Sequence, residues 1–360
     1  MYQGCQFSCA YCLYRGPSDY GAHVRPMTAG PVSLDRAVSQ LDGIVDIGAT
    51  TDPYQAIEEQ QERTRELLRQ VLADEQPIFL LTRGTLVERD ADLLVRLAER
   101  GLVEVCFSLI TLDPYTTDVL EGRTPPPLER LAAARRLADR GIPVSFHVAP
   151  LIPGLDSEAG LRDLVEAMAR AGAQHVFGAV LGARPGFWPT LLGLLDRVAH
   201  FHDRALFRAG YPDDLELRGQ DGAVIGSAEV VTTCSKQLRA ACDAAGLPFV
   251  SETVPGLTST VLSSGIYRWK MPTVHDMADW VSNQRRGITH HAFEEGFYRA
   301  FAPDEALRAL VAGLWRDGTL FANTSLAGQI IDGQMTYADT GRLHVEAMRT
   351  LTVRRNGGVA

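Results

Sequence analysis

Three cysteines stand close together near the start of the chain and give the strongest indication of its fold. Residues 2–12 read YQGCQFSCAYC, which places Cys5, Cys9 and Cys12 in the spacing C-x3-C-x2-C. Loops this short let three thiolates converge on one iron–sulfur cluster, because such clusters are held by cysteine thiolates. Three ligands for four irons leave one iron open. The pattern therefore predicts a [4Fe–4S] cluster with an open coordination position.

A zinc or redox site is the alternative interpretation of these cysteines. Structural zinc usually takes four protein ligands, and the next histidine in the sequence is His23. The other cysteines, Cys106, Cys234 and Cys242, are dispersed along the chain, unlike the disulfide framework of a small secreted protein. The missing fourth ligand favours the iron–sulfur interpretation.

Composition narrows the class of protein. The 360 residues are 46% hydrophobic and 22% charged, which is typical of a globular protein. The net charge of −9 argues against a broad nucleic-acid surface, which needs clustered lysine and arginine. No apolar run is long enough to cross a bilayer, and no basic segment leads into an apolar one as in a signal peptide. We therefore expect a cytoplasmic protein without a membrane partner.

Strand-like and helical segments alternate over the first 205 residues. Apolar runs predict strands at 43–50, 78–82, 103–110, 143–148 and 175–181. Amphipathic patterns predict helices at 55–72, 89–100, 128–140, 157–171 and 189–202, with Ser157 as an N-cap. Repeated β–α units predict a parallel α/β sheet with right-handed crossovers. The alternation fades afterwards, so we expect a domain over 1–205 and an α+β C-terminal extension over 206–360.

The cysteine spacing, with the aromatic Tyr11 before the last cysteine, resembles the radical S-adenosylmethionine (SAM) superfamily. Segments at the predicted strand ends narrow the resemblance. They are IGATTDPYQ at 47–55, LTR at 81–83, VCFSL at 105–109, LEGRTPP at 120–126 and FHVAPLIPGL at 146–155. In order and spacing they resemble the spore photoproduct lyase-like branch, over about residues 2–180.

This resemblance implies a partial (β/α)6 barrel with its site at the C-terminal ends of the strands, and a [4Fe–4S] cluster and SAM as cofactors. Thr50 and Ser108 match positions that hydrogen-bond the methionine part of SAM. Arg83 matches a cation that meets its carboxylate, and Tyr11 would lie near the adenine. The alternative for Thr50 and Ser108 is turn chemistry. The alternative for Arg83 is a surface ion pair, and that for Tyr11 is aromatic packing. Only four residues precede Cys5, so the resemblance implies that the first barrel strand is missing or that the start is placed too late.

Two departures from the lyase pattern bear on the reaction. The lyase has a cysteine where this chain has Ala49 and a tyrosine where it has Leu13, which argues against thymine-dimer repair by that mechanism. Cys106 lies two residues before Ser108 on one predicted strand, so both side chains share a face. A thiol there would donate hydrogen to a substrate radical, unless it is a small buried core residue.

Three further features are weaker candidates. His147 near a strand end would bind substrate or move a proton at neutral pH, unless it is a core histidine. His290 and His291 precede Glu294 and Glu295, and His291 and Glu295 would share a helix face, but a metal site needs a third ligand. Cys234 and Cys242, eight residues apart, would be unusually sparse ligands for a second cluster.

By resemblance, the chain is an enzyme that cleaves SAM reductively to a 5′-deoxyadenosyl radical, which abstracts hydrogen from a substrate. We expect a small-molecule substrate such as a nucleoside or sugar in natural-product biosynthesis. An electron donor such as flavodoxin or ferredoxin would reduce the cluster. The alternatives are a nucleic-acid repair or modification enzyme and a non-catalytic metal-binding protein.

Overall fold

The computed structural model describes residues 2–14, 44–184, 187–212 and 224–254, the short segments 257–259 and 265–266, and the strand backbones named below. The strands are β1 (Tyr2–Gln3), β2 (Arg25–Pro26), β3 (Val45–Ile47), β4 (Ile78–Thr82), β5 (Val103–Ser108), β6 (Val144–Leu151), β7 (Ala173–Val180), β8 (Gly182–Ala183), β9 (Val224–Ile225), β10 (Phe249–Ser251), β11 (Ile288–Thr289), β12 (Leu326–Ile331) and β13 (Gln334–Asp339). The helices are α1 (Glu58–Gln61), α2 (Arg63–Ala73), α3 (Ala91–Glu99), α4 (Pro114–Glu121), α5 (Pro127–Ala138), α6 (Glu158–Arg170), α7 (Trp188–Leu195), α8 (Arg204–Gly210) and α9 (Ala228–Ala244).

A six-stranded parallel sheet forms the centre of the fold. Its order is β3-β4-β5-β6-β7-β10, and every neighbouring pair is parallel. Helices connect the strands, as parallel pairing requires. The order and the open edges are those of the partial barrel that the sequence predicted.

The two faces of the sheet bury different side chains because successive residues of a strand point to opposite sides. The outer face packs against the helices through side chains such as Leu80 and Val105 on the strands and Leu68 and Leu94 on α2 and α3. The inner face carries a smaller group of side chains that pack with Ile266: Phe79, Leu81, Cys106, Phe177 and Val250. This inner layer lies inside the barrel, beneath its mouth.

Local hydrogen bonds explain where the helices differ from the sequence prediction. The segment predicted as one helix over 55–72 is divided at Glu62, whose φ is 48°. The carboxylate of Glu58 accepts from the backbone N of Thr64 at 3.0 Å and so starts α2. Ser157 caps α6 as predicted, since its Oγ accepts from the backbone N of Gly160 at 3.0 Å. Gly141, with φ 81°, follows α5 in the left-handed conformation that favours glycine.

The parallel sheet continues past residue 205. The sequence pattern predicted five strands, but β10 adds a sixth, with Phe249 paired to Val176 of β7. A three-residue strand carries too little periodicity to be recognised in the sequence. The division of the chain at residue 205 stays a prediction.

Three smaller sheets complete the described structure. β1 pairs with β2, β8 pairs with β9, and β11, β13 and β12 form an antiparallel sheet, so strands do occur in the predicted extension. The helical sequence pattern at 303–316, within the expected C-terminal extension, lies outside the described residues. Among the helices described, none is both long and apolar enough to cross a membrane.

Candidate active site

A cavity opens at the C-terminal ends of the sheet strands. It brings together seven of the eight predicted site residues: Cys5, Cys9, Cys12, Tyr11, Thr50, Arg83 and Ser108. Gly48 after β3, Arg83 after β4, Ser108 at the end of β5 and Val180 at the end of β7 all line it. This is the end of the barrel at which such folds place their sites.

The segment after β3 holds one side of the cysteine loop. Gln55 is fully buried, and its Oε1 accepts from the backbone N of Gln6 at 2.8 Å. Its Nε2 donates to the carbonyl of Gly4 at 3.4 Å and to that of Asp52 at 3.0 Å. Gln6 in turn accepts from the backbone N of Ile57 at 2.7 Å. These bonds fix the loop around Cys5.

The end of α4 holds the other side of the loop. The backbone N of Ala10 donates to the carbonyl of Leu120 at 2.8 Å. The hydroxyl of Tyr11 donates to Oε1 of Glu121, which is fully buried. The ring of Tyr11 lies 5.8 Å from the guanidinium carbon of Arg83. Tyr11 therefore both lines the cavity and supports it, and its predicted place near the adenine stays a prediction.

Asp52 shapes the turn that carries Arg83. Its carboxylate accepts from the hydroxyl of Thr82 at 2.7 Å, the backbone N of Tyr54 at 2.9 Å and the backbone N of Arg83 at 2.7 Å. Burial raises the pKa of Asp52, although these hydrogen bonds act in the opposite direction. The sequence analysis missed Asp52 as a site residue; its position in the predicted strand-end segment was the available signal.

Arg83 presents its guanidinium to the cysteine end of the cavity. Its Nε donates to Oε1 of Glu121 at 3.3 Å, and its Nη2 donates to the carbonyl of Ala149 at 3.3 Å. Burial lowers the pKa of Arg83, but negative charge on the Cys9 sulfur and on the Asp52 carboxylate outweighs this and the net pKa is raised. Its ion pair is with a buried carboxylate, which differs from the surface pair considered as the alternative.

Ser108 provides a direct test of whether a cofactor fits. Its side chain is buried and lines the cavity, yet its Oγ has no hydrogen-bond partner among the described residues. Buried polar atoms are nearly always paired, so a ligand atom in the cavity would complete this site. Thr50 also lines the cavity and is exposed.

The three loop cysteines suit a cluster better than a single ion. All three are free thiols on one cavity wall. Within the described ranges, no group of three or more His, Cys, Asp or Glu residues is arranged to hold one metal ion. Structural zinc usually takes four protein ligands, whereas three thiolates leave one iron of a [4Fe–4S] cluster open. The donor set therefore fits a [4Fe–4S] cluster with three protein ligands.

Cys106 shares the inner face with Ser108 but lies beneath the cavity. It is fully buried and packs with Phe177 and Ile266, and it is not among the residues that line the cavity. Its side chain is hydrogen-bonded to Ser145. Burial raises the pKa of the Cys106 thiol well above its ordinary value, so the thiol keeps its proton. Its role as a hydrogen donor stays a prediction.

His147 lies on the cavity wall formed by β6. Its Nε2 is 3.1 Å from Oε2 of Glu252, which directly follows β10. Its ring meets the ring of Phe177 edge to face, with centroids 6.2 Å apart. Glu252 falls in the predicted extension, so sequence reasoning did not connect it with the barrel.

The remaining candidates lie elsewhere. Cys234 and Cys242 are buried on α9 among the apolar side chains of the outer core. Burial raises the pKa of Cys234 to about 11 and that of Cys242 to about 12, which suits inert thiols. His290, His291, Glu294 and Glu295 lie outside the described residues.

Comparisons with known proteins identify the class of protein. Residues 1–177, just under half of the chain, match the radical SAM superfamily, so this part of the chain is assigned to that superfamily. It is an enzyme of the radical SAM class, whose cofactors are a [4Fe–4S] cluster and SAM. The recognition and the cofactors predicted from the cysteine loop are thereby confirmed.

Relatives with similar sequences have uncharacterized functions. A protein of Mycobacterium tuberculosis is 31% identical over 225 residues, which cover 58% of this chain and 66% of that protein. A protein of Acidianus two-tailed virus is 30% identical over 164 residues, which cover 43% of this chain and 53% of that protein. The chain therefore spans just under two thirds of the mycobacterial relative and about half of the viral one.

Solved structures confirm the fold. A spore photoproduct lyase with bound AdoMet and dinucleoside spore photoproduct superposes with a TM-score of 0.53 at 17% identity, over 70% of this chain and 74% of that chain. A second structure of this lyase, complexed with dinucleoside spore photoproduct, gives 0.53 at 18% identity over the same shares of the two chains. The partial barrel of this chain is thus spore photoproduct lyase-like in fold.

Proposed function

We propose that this protein cleaves SAM reductively and directs the resulting radical to a small-molecule substrate, such as a nucleoside or sugar in natural-product biosynthesis. The observation that carries the proposal is one cavity that joins three free cysteines, the cation of Arg83 and the unpartnered hydroxyl of Ser108. When bound, the cluster and SAM would supply a 5′-deoxyadenosyl radical that abstracts hydrogen.

The chain's own residues would hold and orient these groups. Cys5, Cys9 and Cys12 would ligate the cluster. Arg83 would bind the carboxylate of SAM, and the hydroxyls of Thr50 and Ser108 would bind its methionine part. Charge-assisted hydrogen bonds of this kind are short and directional, so they suit a zwitterion that must keep one orientation.

The cavity wall that contains His147 supports the choice of a small substrate. Small residues line this part of the cavity: Ala149 on β6, Ala179 on β7 and Gly182 on β8. They leave space beside His147, whose imidazole would contact a polar group of the substrate. The net charge of −9 and the departures from the lyase pattern at Ala49 and Leu13 also argue against a nucleic-acid substrate.

A nucleic-acid substrate is the second candidate. The lyase-like fold favours it, and so does Tyr14, which is half-exposed at the cavity and could stack on a base. The predicted flavodoxin or ferredoxin donor and the cytoplasmic location also stay predictions.

The first experiment tests SAM cleavage. Protein purified without oxygen and reconstituted with iron and sulfide is mixed with dithionite and SAM, and 5′-deoxyadenosine is measured by mass spectrometry. We expect product that disappears in the C5A/C9A/C12A variant. The matched control is C234A/C242A, which removes two buried cysteines of the outer core and should keep the product. Zinc in place of the cluster, with no product, would overturn the proposal.

A second experiment separates the substrate classes. Nucleosides, sugars and a DNA oligonucleotide are added in turn, and the rate of 5′-deoxyadenosine formation is compared with the rate for SAM alone. Stimulation by a nucleoside or sugar supports the proposal. Stimulation by the oligonucleotide alone would replace it with the nucleic-acid candidate.

A further inference from the structure

A buried carboxylate connects the cysteine loop with the cation expected to bind SAM. Glu121 is the last residue of α4, and its side chain is fully buried. A helix C-terminus carries partial negative charge, so a buried carboxylate there is costly unless cations surround it. Arg83 and Arg130 supply those cations.

The two oxygens of Glu121 have different partners. Oε2 accepts from Nη2 of Arg130 at 2.5 Å and from the hydroxyl of Thr124 at 3.3 Å. Oε1 accepts from the hydroxyl of Tyr11 and from Nε of Arg83 at 3.3 Å. Oε2 therefore faces Arg130 and Thr124, which do not line the cavity, whereas Oε1 faces Tyr11 and Arg83, which do.

Arg130 completes the buried side of this arrangement. It is fully buried, its Nε donates to the carbonyl of Pro125 at 2.7 Å, and its Nη1 donates to the carbonyl of Ser108 at 3.1 Å. If Glu121 served only to neutralise Arg130, the bonds at Oε2 would suffice. Among the described residues, the contacts at Oε1 are made with Tyr11, the neighbour of Cys12, and with Arg83.

We propose that Glu121 is a positioning residue that fixes Arg83 relative to the cysteine loop. One SAM molecule would then contact Arg83 through its carboxylate and the open iron of the cluster at the same time. The inference rests on the proposed function. The Nε–H of Arg83 donates to Glu121, and one N–H of its Nη2 donates to the carbonyl of Ala149. A guanidinium has five N–H donors, so its outer edge keeps donors for a carboxylate.

The test compares E121Q with D90N as a matched control. Asp90 is also fully buried, pairs with two arginines (Arg65 and Arg89) and accepts from a tyrosine hydroxyl, that of Tyr54 at 3.0 Å. None of the control residues lines the cavity. Both substitutions remove one buried negative charge, and only the first removes it beside the expected cofactors.

Four quantities are measured: the midpoint of thermal unfolding, the Kd for SAM from EPR spectra of the reduced cluster, and kcat and KM for 5′-deoxyadenosine formation. We expect E121Q to raise the Kd and KM for SAM about tenfold and to alter the SAM-dependent EPR spectrum, because the amide keeps only one acceptor oxygen and loses the negative charge that orients Arg83. D90N should lower the unfolding midpoint and leave the Kd and the spectrum unchanged.

A second variant, Y11F, keeps the inference testable if E121Q fails to fold. Y11F removes one donor to Oε1 and keeps the ring and the Arg130 pair, and we expect the same changes to a smaller degree. Wild-type Kd and EPR spectra in both E121Q and Y11F would show that Glu121 is only structural and overturn the inference. A wild-type protein that makes no 5′-deoxyadenosine would instead overturn the proposed function.

Discussion

Arg130 holds the backbone of Ser108 while the hydroxyl of the same serine is left for a ligand. Nη1 of Arg130 donates to the Ser108 carbonyl at 3.1 Å, whereas Oγ has no hydrogen-bond partner among the described residues. The strand end is therefore fixed by a buried cation, and the side chain lines the cavity. This division of roles is expected of a preorganised binding group, which pays its ordering cost before the ligand arrives.

S108A should weaken SAM binding without harming the protein. An unpartnered buried hydroxyl costs about 1–3 kcal/mol, so its removal should leave the SAM-free unfolding midpoint unchanged or higher. Loss of a neutral hydrogen bond to SAM should raise the Kd about threefold to tenfold. The matched control is S145A, because Ser145 is buried but its Oγ donates to Glu104 at 2.5 Å. That variant should unfold at lower temperature and bind SAM normally; the reverse pattern would contradict the assignment of Ser108.

The cluster loop and the sheet could be read from the sequence because their signals are local. The cysteine spacing spans eight residues, and the strands at Ile78–Thr82 and Val103–Ser108 are short apolar runs with the predicted bounds or nearly so. Parallel strands place their ends at one edge, which is why Arg83 and Ser108 were expected to meet and do line one cavity.

The supporting residues could not be read in this way because their contacts are distant in sequence. Glu121 meets Tyr11 across 110 positions, and Gln55 meets Gln6 across 49. In the sequence each looks like an ordinary polar residue at the end of a helix or strand.

For Cys106, the sequence predicted the face of the strand but not the depth of the side chain. Strand alternation gave its face correctly, but its depth beneath the cavity depends on Phe177 and Ile266 from other parts of the chain.

Q55E should loosen the cysteine loop. The Nε2 of Gln55 donates to the carbonyls of Gly4 and Asp52, and a carboxylate oxygen in its place would face two acceptors. Burying such an unsatisfied or charged group costs about 1–3 kcal/mol or more. We expect lower iron retention per chain on gel filtration after reconstitution, together with a lower unfolding midpoint. Gln76 provides the control, because it is buried at a distance from the loop and its Nε2 bonds the carbonyl of Pro77. Q76E should lose stability but retain iron, and equal retention in Q55E would contradict the role given to Gln55.

C106A should keep SAM cleavage and lose modest stability. Cys106 is fully buried and its thiol stays protonated, so the native protein should resist alkylation at this position in peptide mapping. Removing the sulfur leaves a small void in the inner layer, at a cost of about 1 kcal/mol in the free energy of unfolding. Native-state alkylation, or loss of substrate-stimulated turnover with SAM cleavage intact, would instead support the hydrogen-donor role.

Asp156 should make the protein less stable as pH rises. Burial raises its pKa from 3.8 to about 6. Between these values the native state keeps a proton that the unfolded chain has lost, so the free energy of unfolding falls as pH rises from about 4 to about 6. The full effect is at most about 3 kcal/mol for a shift of about two units. D156N should therefore be more stable than the wild type at pH 7, with a flatter profile in urea unfolding.

The control for Asp156 is a nearby carboxylate with the opposite shift. Burial alone would raise the pKa of Asp113, but hydrogen bonds from Thr116 outweigh it and the net pKa is lowered. Its stabilising contribution is therefore present above its ordinary pKa and is lost as pH falls through the lowered value. D113N should reduce stability at pH 7. A stabilised D113N or a destabilised D156N at that pH would contradict the assigned environments.

H147Q should separate substrate recognition from SAM cleavage. His147 lines the β6 wall of the cavity and is held by Glu252 at 3.1 Å, whereas Arg83 and Ser108 line the part expected to bind SAM. We expect 5′-deoxyadenosine formation without substrate to stay within about twofold of wild type, and stimulation by the best small molecule of the screen to fall about tenfold or more. H175Q is the control, since His175 is buried on β7 and pairs with Glu104 at 3.0 Å away from the cavity lining. It should lose stability and keep stimulation. Full stimulation in H147Q would remove His147 from the substrate site, and loss of basal cleavage would move it to the SAM site.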